Sequence, residues 1–152
     1  MTLDDDLPIP ALMWDARGSY GDASREALAA AGCDDLPRRG GFIVAGLDDG
    51  AGERAFTSQA DAVAPLRMSK QAASQLVDTL VIRGYLERRN DPDDRRRMSV
   101  RLTERGRAAA AAIQAAVDAI DAELAARITP EELHGLRTGL AALGAIRDRS
   151  SA

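Results

Sequence analysis

The hydrophobic pattern of the chain changes its period at Gly84, and this change constrains the fold more than any other feature. Residues 71–83 hold neither Gly nor Pro, and their apolar positions recur every three or four residues, which is typical of a helix with one buried face. Ser69 is a good N-cap for this helix, and Gly84 is a natural C-terminal stop. The pattern then alternates in residues 85–89 and 98–103, which predicts a two-stranded hairpin around a turn rich in Asn, Asp and Pro.

Helical patterns lie on both sides of this unit. Before it, we predict a helix over residues 10–32 and a short helix that Thr57 or Ser58 caps. After it, we predict a long Ala-rich helix over residues 104–127 and a last helix that starts at the capping box of residues 129–132. The chain is therefore expected to be mainly α, with a small β-hairpin in its middle.

Three other segments have a less distinct pattern. Residues 36–49 carry a run of large apolar side chains after a proline, which favours a short buried helix, although their β-branched content leaves a strand open. Residues 48–53, which contain two glycines, have the composition of a loop. The alanine run at residues 108–112 has high helix propensity and is expected to contribute little side-chain packing.

Length and composition bound the class of protein. A chain of 152 residues is one domain long, and its aromatic content of 3% indicates an aliphatic core. The lone Cys33 excludes an internal disulfide, and together with the lone His134 it excludes the familiar zinc ligand sets, so no metal or cofactor is expected. No apolar run could span a bilayer, and the acidic start at residues 1–6 is unlike a signal peptide, so we expect a cytoplasmic protein with no membrane partner.

The net charge of −4 conceals an uneven distribution. Residues 65–107 carry 11 basic and 6 acidic side chains, whereas residues 1–64 carry 5 basic and 12 acidic ones, and residues 108–152 carry 4 and 6. A basic middle between acidic flanks is the asymmetry expected of a chain in which one element faces a polyanion. A solvated charged surface without a partner is the alternative explanation.

The polar face of the predicted helix after Ser69 carries side chains suited to contacting bases. Gln71, Ser74 and Gln75 each combine hydrogen-bond donors with acceptors, which recognition of base edges in the major groove requires. Lys70 can reach a phosphate or a guanine edge, and the helix N-terminus at Ser69 can receive a phosphate. The alternative is an amphipathic helix whose polar face is simply solvated.

The predicted turn of the hairpin carries three consecutive arginines, Arg95, Arg96 and Arg97. Neighbouring like charges repel each other, so either a polyanion or nearby carboxylates must neutralise them. A basic hairpin tip fits a narrow minor groove, whose negative potential attracts arginine. The three neighbouring aspartates offer local pairing instead, and we expect both effects, with one aspartate orienting one arginine while the other arginines point outward.

Residues 69–78, 83–88 and 91–106 together form a pattern that resembles the MarR-type winged-helix transcription regulators, and the resemblance covers about residues 57–107. It implies a winged helix-turn-helix fold in which the helix at residues 69–83 recognises DNA and residues 87–103 form the wing. The family's Asp-x-Arg wing signature falls on Asp94 and Arg96. This implies that Arg96 enters the minor groove and that Asp94 holds it.

The resemblance also implies a domain organisation. Residues 1–152 would form a single domain with a DNA-binding lobe at residues 36–103 and dimerisation helices at residues 10–35 and 104–149. In the flanks the resemblance is general, because it concerns length and helix order and no sharp motif.

MarR-type proteins often bind aromatic ligands, and some sense oxidants through a cysteine, so two further expectations follow from the resemblance. The candidates for a ligand pocket are Trp14, Tyr20 and Phe42, although core packing is the favoured use of these side chains. Cys33 is followed by two aspartates, whose negative charges disfavour a thiolate, so a redox-sensing regulator is kept only as an alternative.

The function favoured by these observations is a homodimeric, sequence-specific double-stranded DNA-binding transcription regulator, with a near-palindromic operator and with repression relieved by a small-molecule effector. The alternative is a dimeric protein-interaction adaptor of winged-helix shape that does not recognise DNA sequence. We expect no enzyme activity, because the sequence offers no nucleophile–base constellation and its glycine pairs lack the context of a phosphate-binding loop.

Overall fold

The computed structural model describes residues 7–47 and 56–149 and is mainly α-helical over these ranges. In chain order its elements are α1 (Ile9–Ala30), α2 (Gly40–Gly46), β1 (Thr57–Ser58), α3 (Gln59–Val63), a 3-10 turn (Ala64–Leu66), α4 (Lys70–Ile82), β2 (Leu86–Asn90), β3 (Met98–Leu102), α5 (Glu104–Ala125) and α6 (Pro130–Arg149). They belong to two compact units, Met1–Val117 and Asp118–Ala152. The predicted fold class is confirmed, whereas the loop predicted at residues 48–53 lies outside the described residues.

Helix α4 ends where the sequence predicts. The backbone N–H of Gly84 donates to the carbonyl of Val81 at 3.0 Å, and that of Tyr85 donates to Leu80 at 2.9 Å. These two bonds form a Schellman cap, which needs a left-handed residue, and Gly84 supplies it with φ of 78°. The same cap explains why β2 begins at Leu86 and not at Tyr85, because the backbone N–H of Tyr85 is already bonded to the helix.

The hairpin belongs to a three-stranded antiparallel sheet of order β1-β3-β2. Leu86 pairs with Leu102 and Asn90 with Met98 in the hairpin, as the alternating pattern predicts. The first strand was not predicted: Thr57 pairs with Val100, and Ser58 with Ser99. A strand of two residues has no detectable period, and its partner lies far along the chain. Ser58 also caps α3, since its Oγ accepts a hydrogen bond from the backbone N–H of Asp61.

The core of the first unit is mostly aliphatic, with Tyr85 as its largest fully buried side chain, and it includes one face of α4. Val77 and Leu80 have no exposed surface, and they form a cluster with the buried residues of α2, both hairpin strands and α5. The buried residues of α2 in this cluster are β-branched and helical, so the helix is the right alternative over Gly40–Gly46. The expectation for the alanine run was wrong at two of its five residues: Ala109 and Ala110 are fully buried, because their small side chains let α5 approach the cluster closely.

The start of α5 is held against the end of α4. Thr103 caps the helix, because its Oγ1 accepts a hydrogen bond from the backbone N–H of Gly106 at 3.0 Å and donates to the carbonyl oxygen of Gly84 at 2.5 Å. Gly106 is buried, and a Cβ at this position would lie 2.1 Å from the carbonyl oxygen of Tyr85. Only glycine therefore permits this approach of helix to backbone.

The second unit holds the end of α5 and the whole of α6. The predicted capping box is present: the backbone N–H of Thr129 donates to Glu132 at 2.8 Å, and that of Glu132 donates to the Thr129 hydroxyl at 3.2 Å. The bonds from Thr129 hold the pKa of Glu132 below its usual value. The apolar stripe of α6 is 40–50% exposed over Leu136, Leu140, Leu143 and Ile146. No helix in the described ranges combines the length and apolar character that crossing a bilayer requires.

Candidate nucleic-acid interface

A helix-turn-helix is formed by α3, the 3-10 turn and α4. The turn ends at Arg67, whose backbone N–H donates to Ala64 at 3.2 Å and whose φ of 48° and ψ of 44° are left-handed. Ser69 then caps α4, because its Oγ accepts a hydrogen bond from the backbone N–H of Ala72 at 3.2 Å. The predicted cap is therefore present, and it orients the N-terminus of α4.

The two faces of α4 differ as the sequence predicts. Ala73, Val77 and Leu80 face the core, whereas the opposite face is exposed. All the candidate base- and phosphate-contacting residues of this segment are exposed, namely Ser69, Lys70, Gln71, Ser74 and Gln75. The structure brings them together on the first turns of one helix, so their donors and acceptors are available to a ligand in solution.

The tip of the wing is a compact turn organised by aspartates. The carboxylate of Asp94 accepts a hydrogen bond from the backbone N–H of Arg96 at 3.0 Å, and its other oxygen lies 3.9 Å from the Nε of Arg97. The backbone of Arg97 closes the turn by donating to Asp94 at 2.9 Å and accepting from Asp91 at 2.8 Å. The contact of Asp94 is thus with the backbone of Arg96, and its ion pair is with Arg97. The side chains of Arg95, Arg96 and Arg97 are all exposed.

The base of the wing also carries arginines, and these were not among the site residues that the sequence pattern predicts. Arg88 pairs with Asp78 of α4, with 2.6 Å between Nη2 and Oδ1. Arg101 pairs with Glu87 across the hairpin, with 2.5 Å between Nε and Oε1. The second pair has a sequence signal, because the two residues are directly opposite each other in the strand register. The pair of Arg88 and Asp78 has no sequence signal, because it joins a helix to a strand.

Phe56 lies between two of these arginines. Its ring centroid is 3.7 Å from the Cζ of Arg89 and 4.4 Å from that of Arg101, which are cation–π distances. Phe56 comes directly before β1, so this contact ties the start of the sheet to both hairpin strands.

A second polar group of residues, which we call the Asp35 cluster, comprises Asp35, Arg83, Tyr85 and Arg105. The hydroxyl of Tyr85 donates to the carboxylate of Asp35, and Arg105 pairs with the same carboxylate at 2.9 Å. Arg83 donates to the backbone carbonyl of Asp35, and Arg105 donates to that of Arg83. The cluster joins the segment after α1 to the end of α4 and the start of α5, and these residues are far apart in sequence.

The residues of the Asp35 cluster stabilise one another's protonation states. The hydrogen bond from Tyr85 and the charge of Arg105 hold the pKa of Asp35 below its usual value. Burial and the hydrogen bond to Asp35 raise the pKa of Tyr85 above its usual value, so the phenol stays protonated as a donor. The guanidinium of Arg105 also lies 4.4 Å from the Tyr85 ring centroid.

The candidates for a ligand pocket do not belong to the core. Trp14 is 75% exposed and Phe42 is 63% exposed, so the favoured expectation of core packing is wrong for both. Tyr20 is half-buried on α1. A pocket that includes these three side chains stays a prediction.

The sulfur of Cys33 is placed differently from that of a reactive cysteine. Cys33 is 2% exposed, and its thiol donates to the carbonyl of Ala31 at 3.6 Å. Reactive cysteines are accessible and have cationic neighbours that stabilise a thiolate, so this burial argues against redox sensing.

The comparisons with known proteins agree with the fold. The sequence model described as MarR family matches residues 43–97, which run from α2 to the wing tip. The matched part of the chain, 55 of 152 residues, is similar to the MarR family. No curated protein matches the chain. The matched residues contain the helix-turn-helix, and the first strand and turn of the wing.

Several solved structures share this fold. The structure of the MepR–DNA complex from S. aureus is 18% identical, with a TM-score of 0.73 over 92% of this chain and 98% of that one. The transcriptional repressor CouR bound to a 23-mer DNA duplex is 20% identical, with a TM-score of 0.69 over 90% and 92% of the two chains. Wild-type apo MarR from E. coli is 20% identical, with a TM-score of 0.63 over 92% and 98%.

Proposed function

We propose that this protein is a MarR-family regulator, namely a homodimeric transcription regulator that binds double-stranded DNA in a sequence-specific manner. The observation that carries the proposal is the pairing of an exposed polar face on α4 with an exposed arginine tip on the wing, both inside the basic middle of the chain. Two solved structures of the same fold, those of MepR and CouR, are DNA complexes. This supports DNA as the polyanion that the charge distribution implies.

The roles of the individual side chains follow from their chemistry. Gln71, Ser74 and Gln75 would contact base edges in the major groove, because each offers both donors and acceptors. Lys70 and the capped N-terminus of α4 at Ser69 would contact phosphates. At the wing, Arg96 would enter the minor groove, while Asp94 keeps the turn in the conformation that presents it.

Dimerisation is supported by apolar surface that each unit leaves exposed. In the first unit, α1 exposes Ile9, Leu12, Met13 and Trp14. In the second unit, α6 exposes an apolar stripe of four residues at helical spacing. An exposed apolar stripe on a helix marks an interaction site, and in a two-fold dimer a second copy of the chain would cover each of these two stripes. A two-fold dimer would bind a near-palindromic operator.

The finer expectations are part of the same proposal. The protein would act in the cytoplasm, where its DNA is accessible, and would be a repressor whose binding a small-molecule effector relieves. Catalysis has no part in this proposal, since DNA recognition needs only the contacts described above.

Selection from random duplex DNA with the full chain tests the proposal. We expect a near-palindromic motif with half-sites about one helical turn apart. Enrichment of no motif, with equally weak binding to every duplex, would contradict the proposal and favour a protein-interaction adaptor. A repeat of the assay with candidate small molecules would show which of them release the DNA.

A further inference from the structure

Helices α1 and α4 end in the same kind of cap. At the end of α1, the backbone N–H of Gly32 donates to the carbonyl of Ala29 at 3.1 Å, and that of Cys33 donates to Leu28 at 2.8 Å. Gly32 has a φ of 71°, so it occupies the left-handed position of a Schellman cap, as Gly84 does at the end of α4. The last carbonyl oxygens of a helix have no donor within it and carry a partial negative charge.

The guanidinium of Arg105, in the first turn of α5, contacts both of these helix ends. Its Nη2 donates to the carbonyl oxygen of Gly32 at 3.2 Å and to the carboxylate of Asp35 at 2.9 Å. Its Nη1 donates to the carbonyl oxygen of Arg83, the residue that follows α4. A single side chain therefore joins α1, α4 and α5, and its positive charge suits the negative ends of two helices.

The other members of the Asp35 cluster support this junction. Tyr85 is fully buried, and its hydroxyl donates to the same carboxylate that Arg105 binds, while Arg83 donates to the backbone carbonyl of Asp35. Apolar packing has no preferred direction, whereas a hydrogen bond forms only over a narrow range of distance and angle. The Asp35 cluster therefore adds a directional constraint on α4 relative to α1 and α5.

The direction of α4 relative to α1 matters for the proposed function. Both helices belong to the first unit, in which α4 presents the candidate base-contacting face and α1 carries the apolar stripe that a second copy would cover. In a two-fold dimer, two copies of α4 enter successive major grooves only if their separation matches the spacing of the half-sites. A constraint between α1 and α4 is thus a constraint on the operator.

We propose that Arg105 is a positioning residue for DNA recognition, which fixes the direction of α4 relative to α1 and thereby the half-site spacing that the dimer accepts. The inference rests on the proposed function and assigns a role to a residue remote from the candidate DNA-contacting face. Arg105 binds beyond the last turn of α4, whereas the candidate base-contacting residues lie on its first turns, so most of this 13-residue helix separates them.

The test compares Arg105→Lys with the wild-type chain on two duplexes, at a temperature at which thermal melts show both proteins to be folded. One duplex is the one that the wild type selects, and the other carries the same half-sites one base pair further apart. Lysine keeps the charge but lacks the planar fork that reaches both helix ends. We expect the wild type to prefer the selected spacing by about tenfold or more, and Arg105→Lys by about threefold or less.

Two further measurements separate positioning from a DNA contact and from a loss of stability. The slope of log K against log salt should be the same in Arg105→Lys and the wild type, because no phosphate contact is lost. Asp35→Asn, which weakens the pair with Arg105 and keeps an acceptor for Tyr85, should reduce the spacing preference by a smaller factor.

A matched control makes the same substitution just beyond the end of α5. Arg127 pairs there with Glu123, so Arg127→Lys should keep the spacing preference of the wild type. The inference is overturned if Arg105→Lys keeps that preference, even with a lower melting temperature, if its salt slope falls, or if Arg127→Lys loses the preference equally. A wild type that binds both spacings equally would also overturn it. If the wild type selects no duplex at all, the proposed function itself fails.

Discussion

The arginines of the wing form two groups that differ in what they contact. At the base, Arg88 and Arg101 are partly buried and pair with carboxylates of the same lobe at 2.6 and 2.5 Å. At the tip, Arg95 and Arg96 are exposed, and the nearest aspartate binds the backbone of the turn instead of the guanidinium of Arg96. The comparison teaches that one residue type serves two purposes on one hairpin: the base arginines stabilise the lobe, and the tip arginines are available to a partner.

Replacement of Gly106, which lies where α5 contacts the end of α4, should have the largest effect on stability. Gly106→Ala places a Cβ 2.1 Å from the carbonyl oxygen of Tyr85, so α5 must move away from the end of α4. We expect a loss of about 3 kcal/mol or more in the free energy of unfolding, measured by denaturant titration. Ala108→Gly, at an exposed position on the same helix, should cost only about 1 kcal/mol. Equal losses in the two variants would contradict the close approach described here.

At the tip of the wing, a substitution should lower DNA affinity and leave the stability of the fold almost unchanged. Arg96→Ala removes an exposed guanidinium and leaves the backbone bond to Asp94 in place, so the free energy of unfolding should change by less than about 0.5 kcal/mol. On the selected duplex the affinity should fall about tenfold, which is about 1.4 kcal/mol. Fluorescence anisotropy at fixed salt measures this loss. Unchanged affinity would remove the wing tip from the interface.

The Asp35 cluster gives a smaller effect that depends on pH. Tyr85→Phe removes the donor to Asp35 and should cost about 1 kcal/mol of stability at neutral pH. Because the pKa of Asp35 is lowered in the folded state, its contribution is present above the unfolded value of 3.8 and is lost as the pH falls below it. Thermal melts of both proteins should therefore converge as the pH falls below about 4. A gap of constant size down to pH 2 would contradict this assignment.

The sequence predicts local features of this protein well and long-range ones poorly. The Ser69 cap, the stop at Gly84 and the capping box at Thr129 each depend on residues within a few positions of one another, and all three are present. The hairpin follows from a period of two that the turn interrupts. Each of these features is formed by residues that are close together in the sequence, so a single sequence is enough to predict it.

The missed features depend on residues that are distant along the chain. Nothing local marks Asp35 as the acceptor of Tyr85, because the loop after α1 meets the end of α4 only in the folded chain. Burial of Ala109 depends likewise on how closely α5 approaches the core. At the candidate site, the polar face of α4 and the arginine tip were predicted, whereas the left-handed backbone of Arg67 has no sequence signal, since glycine or asparagine is expected there.

The salt dependence of DNA binding in one matched pair of variants tests the central claim most directly. Arg96→Ala and Arg101→Ala each remove one positive charge from the hairpin, the first at its exposed tip and the second at its ion-paired base. On the duplex that the wild type selects, Arg96→Ala should lower the slope of log K against log salt by about 0.9, whereas Arg101→Ala should keep the wild-type slope and melt at a lower temperature. Equal slopes in the two variants would contradict the division of the wing into a DNA-binding tip and a stabilising base.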